Sequence, residues 1–150
     1  LLGRYFVEDQ PFLLIGARKA DLAKQGLDQC FVWNGSTNRV AGALSVYDGL
    51  ANTRAMAKAG SEIAQRLLAA EIHGHRDWFL WSRGEALLGL DAQATLPAQE
   101  RFEPAWYWTS TQDADGDGDA WVQSFNGGYQ DWNHKSLDYR VFAVRREPIR

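Results

Sequence analysis

The chain has 150 residues, of which 45% are hydrophobic and 23% charged, and its formal net charge is -3. That length points to a single domain spanning 1–150, able to bury about 70% of its unfolded surface without staples. The charge provides no general basic field for nucleic acid, one cysteine excludes an intrachain disulfide or a multi-cysteine metal site, and no run approaches the ~18 apolar residues of a membrane span.

The chain starts at Leu1 without Met and is expected to be a piece of a longer protein. Tyr5-Phe6-Val7 and Phe12 to Ile15 are short β-prone runs separated by Glu8-Asp9-Gln10-Pro11, which predicts a hairpin. Cys30, beside Phe31-Val32-Trp33, reads as a buried small hydrophobe in a short strand that ends at Asn34-Gly35. Leu44 to Tyr47 reads as another extended piece. Asn52 to Ala59 favours helix, Gly60 sits just past its end, and Ser61 caps a second helix with Ile63, Leu67 and Leu68 on one face. Ser82-Arg83-Gly84-Glu85 is a capping-box pattern, predicting a helix over about 83–90. Residues 91–104, with two prolines, read as loop.

From 105 onward the pattern changes to strand and turn, with strands expected over 105–110, 120–125, 129–133 and 139–145. Asn126-Gly127 is the strongest hairpin signal. Val141-Phe142-Ala143-Val144, apolar on both faces, reads as a central strand, with Arg140, Arg145, Arg146 and Arg150 making the end of the chain basic. The class is α+β: an N-terminal hairpin and two to three helices packed on a C-terminal antiparallel meander.

Four motifs in order then carry a resemblance: Asp48-Gly49-Leu50-Ala51-Asn52-Thr53; Gly74-His75-Arg76-Asp77-Trp78-Phe79-Leu80 leading into Ser82 to Leu88; Phe102-Glu103-Pro104 with Trp106-Tyr107-Trp108-Thr109-Ser110-Thr111; and Ala120-Trp121 to Phe125, Gly128-Tyr129-Gln130 and Val141 to Arg146. Over about residues 3–146 they resemble the Lcl C-terminal-domain family, and within it phage-encoded, tail-associated members. The resemblance implies a C-type-lectin-like fold and a role in adhesion or host-surface recognition on fibre-like, trimerising carriers, placing the protein on a virion tail or a cell surface. The expected partners are a cell-surface glycan or protein receptor and two further copies in a homotrimer, with no nucleic acid and no membrane insertion. One departure is Trp81, where the family usually has Pro, which puts the local turn in question.

Two clusters invite a chemical reading. Asp113, Asp115 and Asp117, with Gly118 and the backbone carbonyl of Asp119, imitate the start of a calcium loop. Position 12 is Ser124 rather than the bidentate Glu, so a solvated acidic hairpin is the simpler alternative. Asp131-Trp132-Asn133 lacks the order and the partner tripeptide of calcium-dependent sugar-binding lectins. His73-Gly74-His75 lacks an evident third metal ligand. No Ser-His-Asp order, nucleophile elbow or phosphate loop is visible, and Glu100 with Glu103 does not argue for a glycosidase pair.

Six of the seven tryptophans lie between Trp78 and Trp132. Trp78, Trp106, Trp108 and Trp121 read as core, whereas Trp132 sits among Gln130, Asp131, Asn133, His134 and Lys135 and reads as a contact residue. The candidate ligand-binding residues are therefore Gln123, Asn126, Gln130, Trp132, Asn133, Lys135 and Asp138, and the candidate metal residues Asp113, Asp115, Asp117 and Asp119, with calcium as the one cofactor in question. The expectation is a non-enzymatic recognition domain. The alternatives are a structural cap or trimerising unit of a fibre and, further off, a retroelement-diversified variable protein or a formylglycine-generating oxidase, the last weakened by the lack of a cysteine pair.

Overall fold

The computed structural model describes residues 1–150 as two sheets and four helices. Strands β1 (Gly3–Val7) and β2 (Gln10–Gly16) form the expected hairpin. Beyond it lie α1 (Lys19–Lys24), β3 (Cys30–Val32), α2 (Gly49–Lys58), α3 (Glu62–Ala69), β4 (Phe79–Leu80) and α4 (Arg83–Ala92). The chain then runs through β5 (Trp106–Gln112), β6 (Asp119–Ser124), β7 (Gln130–His134), β8 (Asp138–Arg140) and β9 (Ala143–Pro148). One sheet has the order β1-β2-β9-β4 and the other β3-β8-β5-β6-β7. The α+β class is as expected, and no helix is long and apolar enough to cross a membrane.

Helices α2, α3 and α4 start where their caps dictate. Asp48 accepts from the Ala51 amide at 3.0 Å, Ser61 from Ala64 at 3.4 Å and Ser82 from Glu85 at 3.2 Å, each satisfying an orphan N–H of a first turn. Gly60, at φ +93°, supplies the left-handed residue that ends α2. The capping box at Ser82 reaches further than its own helix. Fully buried Glu85 accepts from the Ser82 amide at 2.7 Å and from the Gly49 amide of α2 at 2.9 Å, and its other oxygen accepts from the Tyr5 hydroxyl of β1. One carboxylate thus fixes the first turns of two helices against the hairpin.

Trp33, Trp81 and Trp108 are wholly buried, and each indole N–H donates to a carbonyl: Trp33 to Thr109 at 2.8 Å, Trp81 to Trp108 at 3.0 Å and Trp108 to Phe31 at 2.9 Å. The turn questioned at Trp81 is intact. Its ring packs among Phe102, Tyr107, Phe125 and Phe142, and its carbonyl accepts from the Ser110 amide at 2.8 Å. The β5–β6 register shifts between Trp108 and Gln112, and the buried Thr109-Ser110-Thr111-Gln112 run turns its hydroxyls and amide to other partners. Thr111 donates to the Ser45 carbonyl at 2.7 Å and Gln112 to the Val40 carbonyl. These bonds pin the long segment between β3 and α2.

Four expectations are corrected. Leu44 to Tyr47 is not a strand; its backbone is spent on Thr111, Asn52 and Gly84 instead of on a ladder. Cys30 is exposed, because β3 is an edge strand and the cysteine side chain lies outside the core. The predicted strand over 139–145 splits between β8 and β9, which belong to different sheets. Val141 and Phe142 are buried because the chain crosses the core there, so apolarity on both faces reflected a crossing as well as the interior position of β9. The terminal meander is consequently three strands, β5 to β7; β8 joins β5 in parallel, and β9 returns to the hairpin.

Candidate ligand-binding groove

The β6–β7 ladder sets Trp121 directly opposite Trp132. On an antiparallel pair such partners share a face, and the two rings meet edge to face, with centroids 5.3 Å apart at 74°. Alternation along β6 sends Ala120 and Val122 inward and leaves Trp121 on the outer face. Trp132, on the edge strand, stays 52% exposed. An open groove of about 510 Å³ runs beside the two rings, lined otherwise by Asp113, Asp115, Gly116 and Asp119. Thus Trp132 and three of the four aspartates singled out separately in the sequence, Asp113, Asp115 and Asp119, line one groove.

The acidic loop closes as a hairpin. The Asp113 amide donates to the Asp119 carbonyl at 2.9 Å and the Asp119 amide to the Gly116 carbonyl at 3.1 Å. A Cβ at Gly116 would lie 2.9 Å from Asp119 Oδ2 and 3.1 Å from Asp113 Oδ2, so glycine leaves the space into which these two carboxylates turn. Asp117 points elsewhere and pairs with Arg39 at 3.1 Å. No three His, Cys, Asp or Glu side chains come together here in a way that could hold a metal ion: Asp113 and Asp119 turn toward Gly116, and Asp117 turns away. His73 pairs with Asp21 at 2.7 Å and gains no third ligand from His75.

The other predicted contacts divide. Gln123 is buried, which corrects its assignment: it donates to the Ser124 carbonyl at 2.9 Å and accepts from Gln130 Nε2 at 2.9 Å. Gln130 is spent in the same network. It donates to the Arg83 carbonyl at 2.7 Å and accepts from Arg83 Nε at 3.1 Å, and this holds the Arg83 guanidinium 3.4 Å over the Trp121 ring. These two amides act as scaffold for the groove wall. Sequence reasoning missed Arg83 and counted Trp121 as core; the alignment of Trp121 with Trp132 across the predicted hairpin was the signal available.

Lys135 is also corrected. It is wholly buried, donating to the Asn38 carbonyl at 2.9 Å and to Gln112 Oε1 at 3.0 Å, with its ammonium 4.6 Å from the centre of the Trp33 ring. Burial pushes its pKa down to about 8, against partial support from Asp117. A charge in the middle of a polar segment reads as surface, but the turn that follows β7 aims it inward. Asn126 is exposed at the β6–β7 turn, about 17 Å from the acidic loop along β6, and takes no part in the groove. Asn133 alternates to the face opposite Trp132, and exposed Asp138 lies on β8, beyond β5 and β6.

A family model, the Lcl C-terminal domain, matches residues 21–145. No curated protein matches the chain.

Proposed function

We propose, on the premise that this chain belongs to the Lcl C-terminal domain family, that it is a non-enzymatic recognition domain. Its binding face is the groove at Trp132, and it engages a receptor on a cell surface, from a fibre-like carrier on a virion tail or on another cell. The observation that carries this reading is a half-exposed tryptophan standing against a second one beside three carboxylates, on an edge strand over a rigid sheet. Large rigid aromatics at a solvated rim are what recognition surfaces use, because they bring contact area at low conformational cost. The C-type-lectin-like architecture remains part of the proposal. What supports it is that the N-terminal hairpin and the last strand share one sheet while the groove-bearing strands form a second.

The test is Trp132→Ala. The ring is on the surface, so the variant should unfold like the parent, while saturable binding of the labelled domain to receptor-bearing bacterial cells should fall about tenfold or more. Undiminished cell binding by a folded variant would move the site elsewhere.

A second reading, a structural cap or trimerising unit, is favoured by the exposed side chains of Leu44, Val46, Tyr47 and Leu87. The Gly84 amide donates to the Val46 carbonyl at 2.7 Å, bringing this loop against the first turns of α4. Light scattering decides it: a trimer that Val46→Asp dissociates would establish the interface.

A further inference from the structure

We infer that the pocket between α1, β5 and β8 is a second binding site, which takes the carboxylate end of a small aliphatic monocarboxylic acid. It shares no lining residue with the Trp132 groove, so its test is independent of that reading.

Two donors with no acceptor in the protein carry the inference. The first is Tyr107, only 4% exposed. Its hydroxyl oxygen accepts from the Glu103 amide at 3.0 Å, and Glu103 also lines the pocket, so the hydroxyl end of the ring stands at the pocket wall. The hydroxyl proton is left without an acceptor from the protein. Burial pushes the pKa of this phenol up, which keeps it a donor at neutral pH. The second is Arg140, half-buried on β8 and the register partner of Tyr107 across the β5–β8 pairing. Register partners on neighbouring strands project from the same side of a sheet, which sets the guanidinium beside the phenol. Arg140 lines the pocket yet forms no ion pair and no hydrogen bond within the protein. Donors left unmatched away from water cost free energy, and the guanidinium fork matches a carboxylate with two parallel bonds. One carboxylate held between Arg140 and Tyr107 satisfies both.

The rest of the lining sets the size and charge of the ligand. Buried Leu22, Leu27, Val141 and Phe142 give an apolar floor for alkyl carbons. The cavity measures about 40 Å³, against the ~10–15 Å³ that one water needs, so it takes a head group and a few carbons rather than a sugar ring or a peptide. Lys19 is already spent, on Glu103 at 2.8 Å and on the Arg101 carbonyl at 2.8 Å, and it cancels the charge of that glutamate. Arg140 is then the one uncommitted cation of the pocket, and exposed Asp28 is the remaining carboxylate at its rim. That balance suits a single negative charge and repels a second.

The experiment is a titration of the whole chain, followed by the nitrogen-15 spectrum of the arginine Nε–H groups, with isobutyrate and with its uncharged isostere isobutyramide. Isobutyrate should shift the Arg140 Nε–H signal saturably and bind about tenfold or more tighter than the amide. Inorganic phosphate and succinate, which carry more charge, should bind about tenfold more weakly than isobutyrate. Arg140→Gln should abolish the binding while melting like the parent, since Arg140 holds nothing within the protein. Arg140→Lys, which keeps the charge and loses the fork, and Tyr107→Phe, which keeps the ring and loses the donor, should each weaken it about fivefold to tenfold. Exposed Arg54→Gln, on α2, should leave it unchanged. Equal binding of isobutyrate and isobutyramide, no saturable shift with either, phosphate binding as tightly as isobutyrate, or full binding by a folded Arg140→Gln variant would each overturn the inference. If Tyr107→Phe fails to fold, Arg140→Gln alone decides.

Discussion

Lys135 shows how much one side chain can hide from a sequence. Flanked by His134 and Ser136, it has every mark of a solvated turn residue, yet its ammonium is buried against Gln112, the Asn38 carbonyl and the Trp33 ring with no carboxylate in contact. The consequence is a definite pH dependence. The ordinary pKa is 10.5 and the folded one about 8. Between these values the unfolded chain holds the proton more tightly than the folded one, so stability rises with pH across that window. Below pH 8 the full cost of burying the charge is present. Lys135→Met removes the titrating group at similar length. In urea titrations the stability of the parent relative to this variant should climb between pH 8 and 10.5; a gap that stays constant over that range would show that the amine is not desolvated. The burial of Gln123 is a milder case of the same blindness. Polar residues are placed by whether partners await them, and partners such as Gln130 and Tyr129 become neighbours only once β6 and β7 have paired.

Elements were legible wherever their signals were local. The hairpin at Glu8 to Pro11, the caps at Ser61 and Ser82 and the α2–α3 break at Gly60 involve residues within a few positions of one another, and all are as expected. What local signals could not show is how one cap serves two elements. Glu85→Ala removes an acceptor from the Ser82 and Gly49 amides and from the Tyr5 hydroxyl, leaving buried donors unpaired, and should cost about 3 kcal/mol or more. Tyr5→Phe should cost less, about 1.5–3 kcal/mol, since only one donor to the charged group is lost. A double-mutant cycle from denaturant midpoints checks the link: simple additivity would mean that the Tyr5–Glu85 contact contributes nothing. Helix α4 offers a second test. A Cβ at Gly89 would sit 2.6 Å from Trp81 Cζ3 and 3.2 Å from Cη2. Alanine gains up to about 1 kcal/mol of helix propensity there, but pushing a wholly buried indole out of its aromatic cluster costs about 1–3 kcal/mol. Gly89→Ala should therefore lower the melting temperature; a rise would mean that the cluster yields more easily than its packing suggests.

At the scale of the whole molecule the decisive contacts are those farthest apart in sequence. β2 pairs with β9, Leu14 opposite Arg146 and Gly16 opposite Val144, and no periodicity along the chain announces that partnership. For that reason the end of the chain read as part of a meander, and the assembly of Trp132 with the acidic loop appeared only with the fold. The same pairing makes a prediction about where the folding unit ends. The family match covers residues 21–145. A fragment with those bounds would lack β1, β2 and the last three residues of β9, leaving β4 and the stump of β9 as an unsupported pair. It would also lack the buried side chains of Leu2, Val7 and Leu14 and the Tyr5 donor to Glu85. Burying three aliphatic side chains is worth about 1.5–3 kcal/mol each, or about 5–9 kcal/mol together, against the ~5–15 kcal/mol by which a domain of this kind is stable. The loss is of the order of the whole stability. The 21–145 fragment should show no cooperative thermal transition by near-ultraviolet circular dichroism, where the tightly packed tryptophans of the 1–150 chain give a strong signal. A fragment that melts sharply within a few degrees of the longer chain would mean that the β1–β2 hairpin is an appendage, and that the core around Trp81 and Trp108 holds without it.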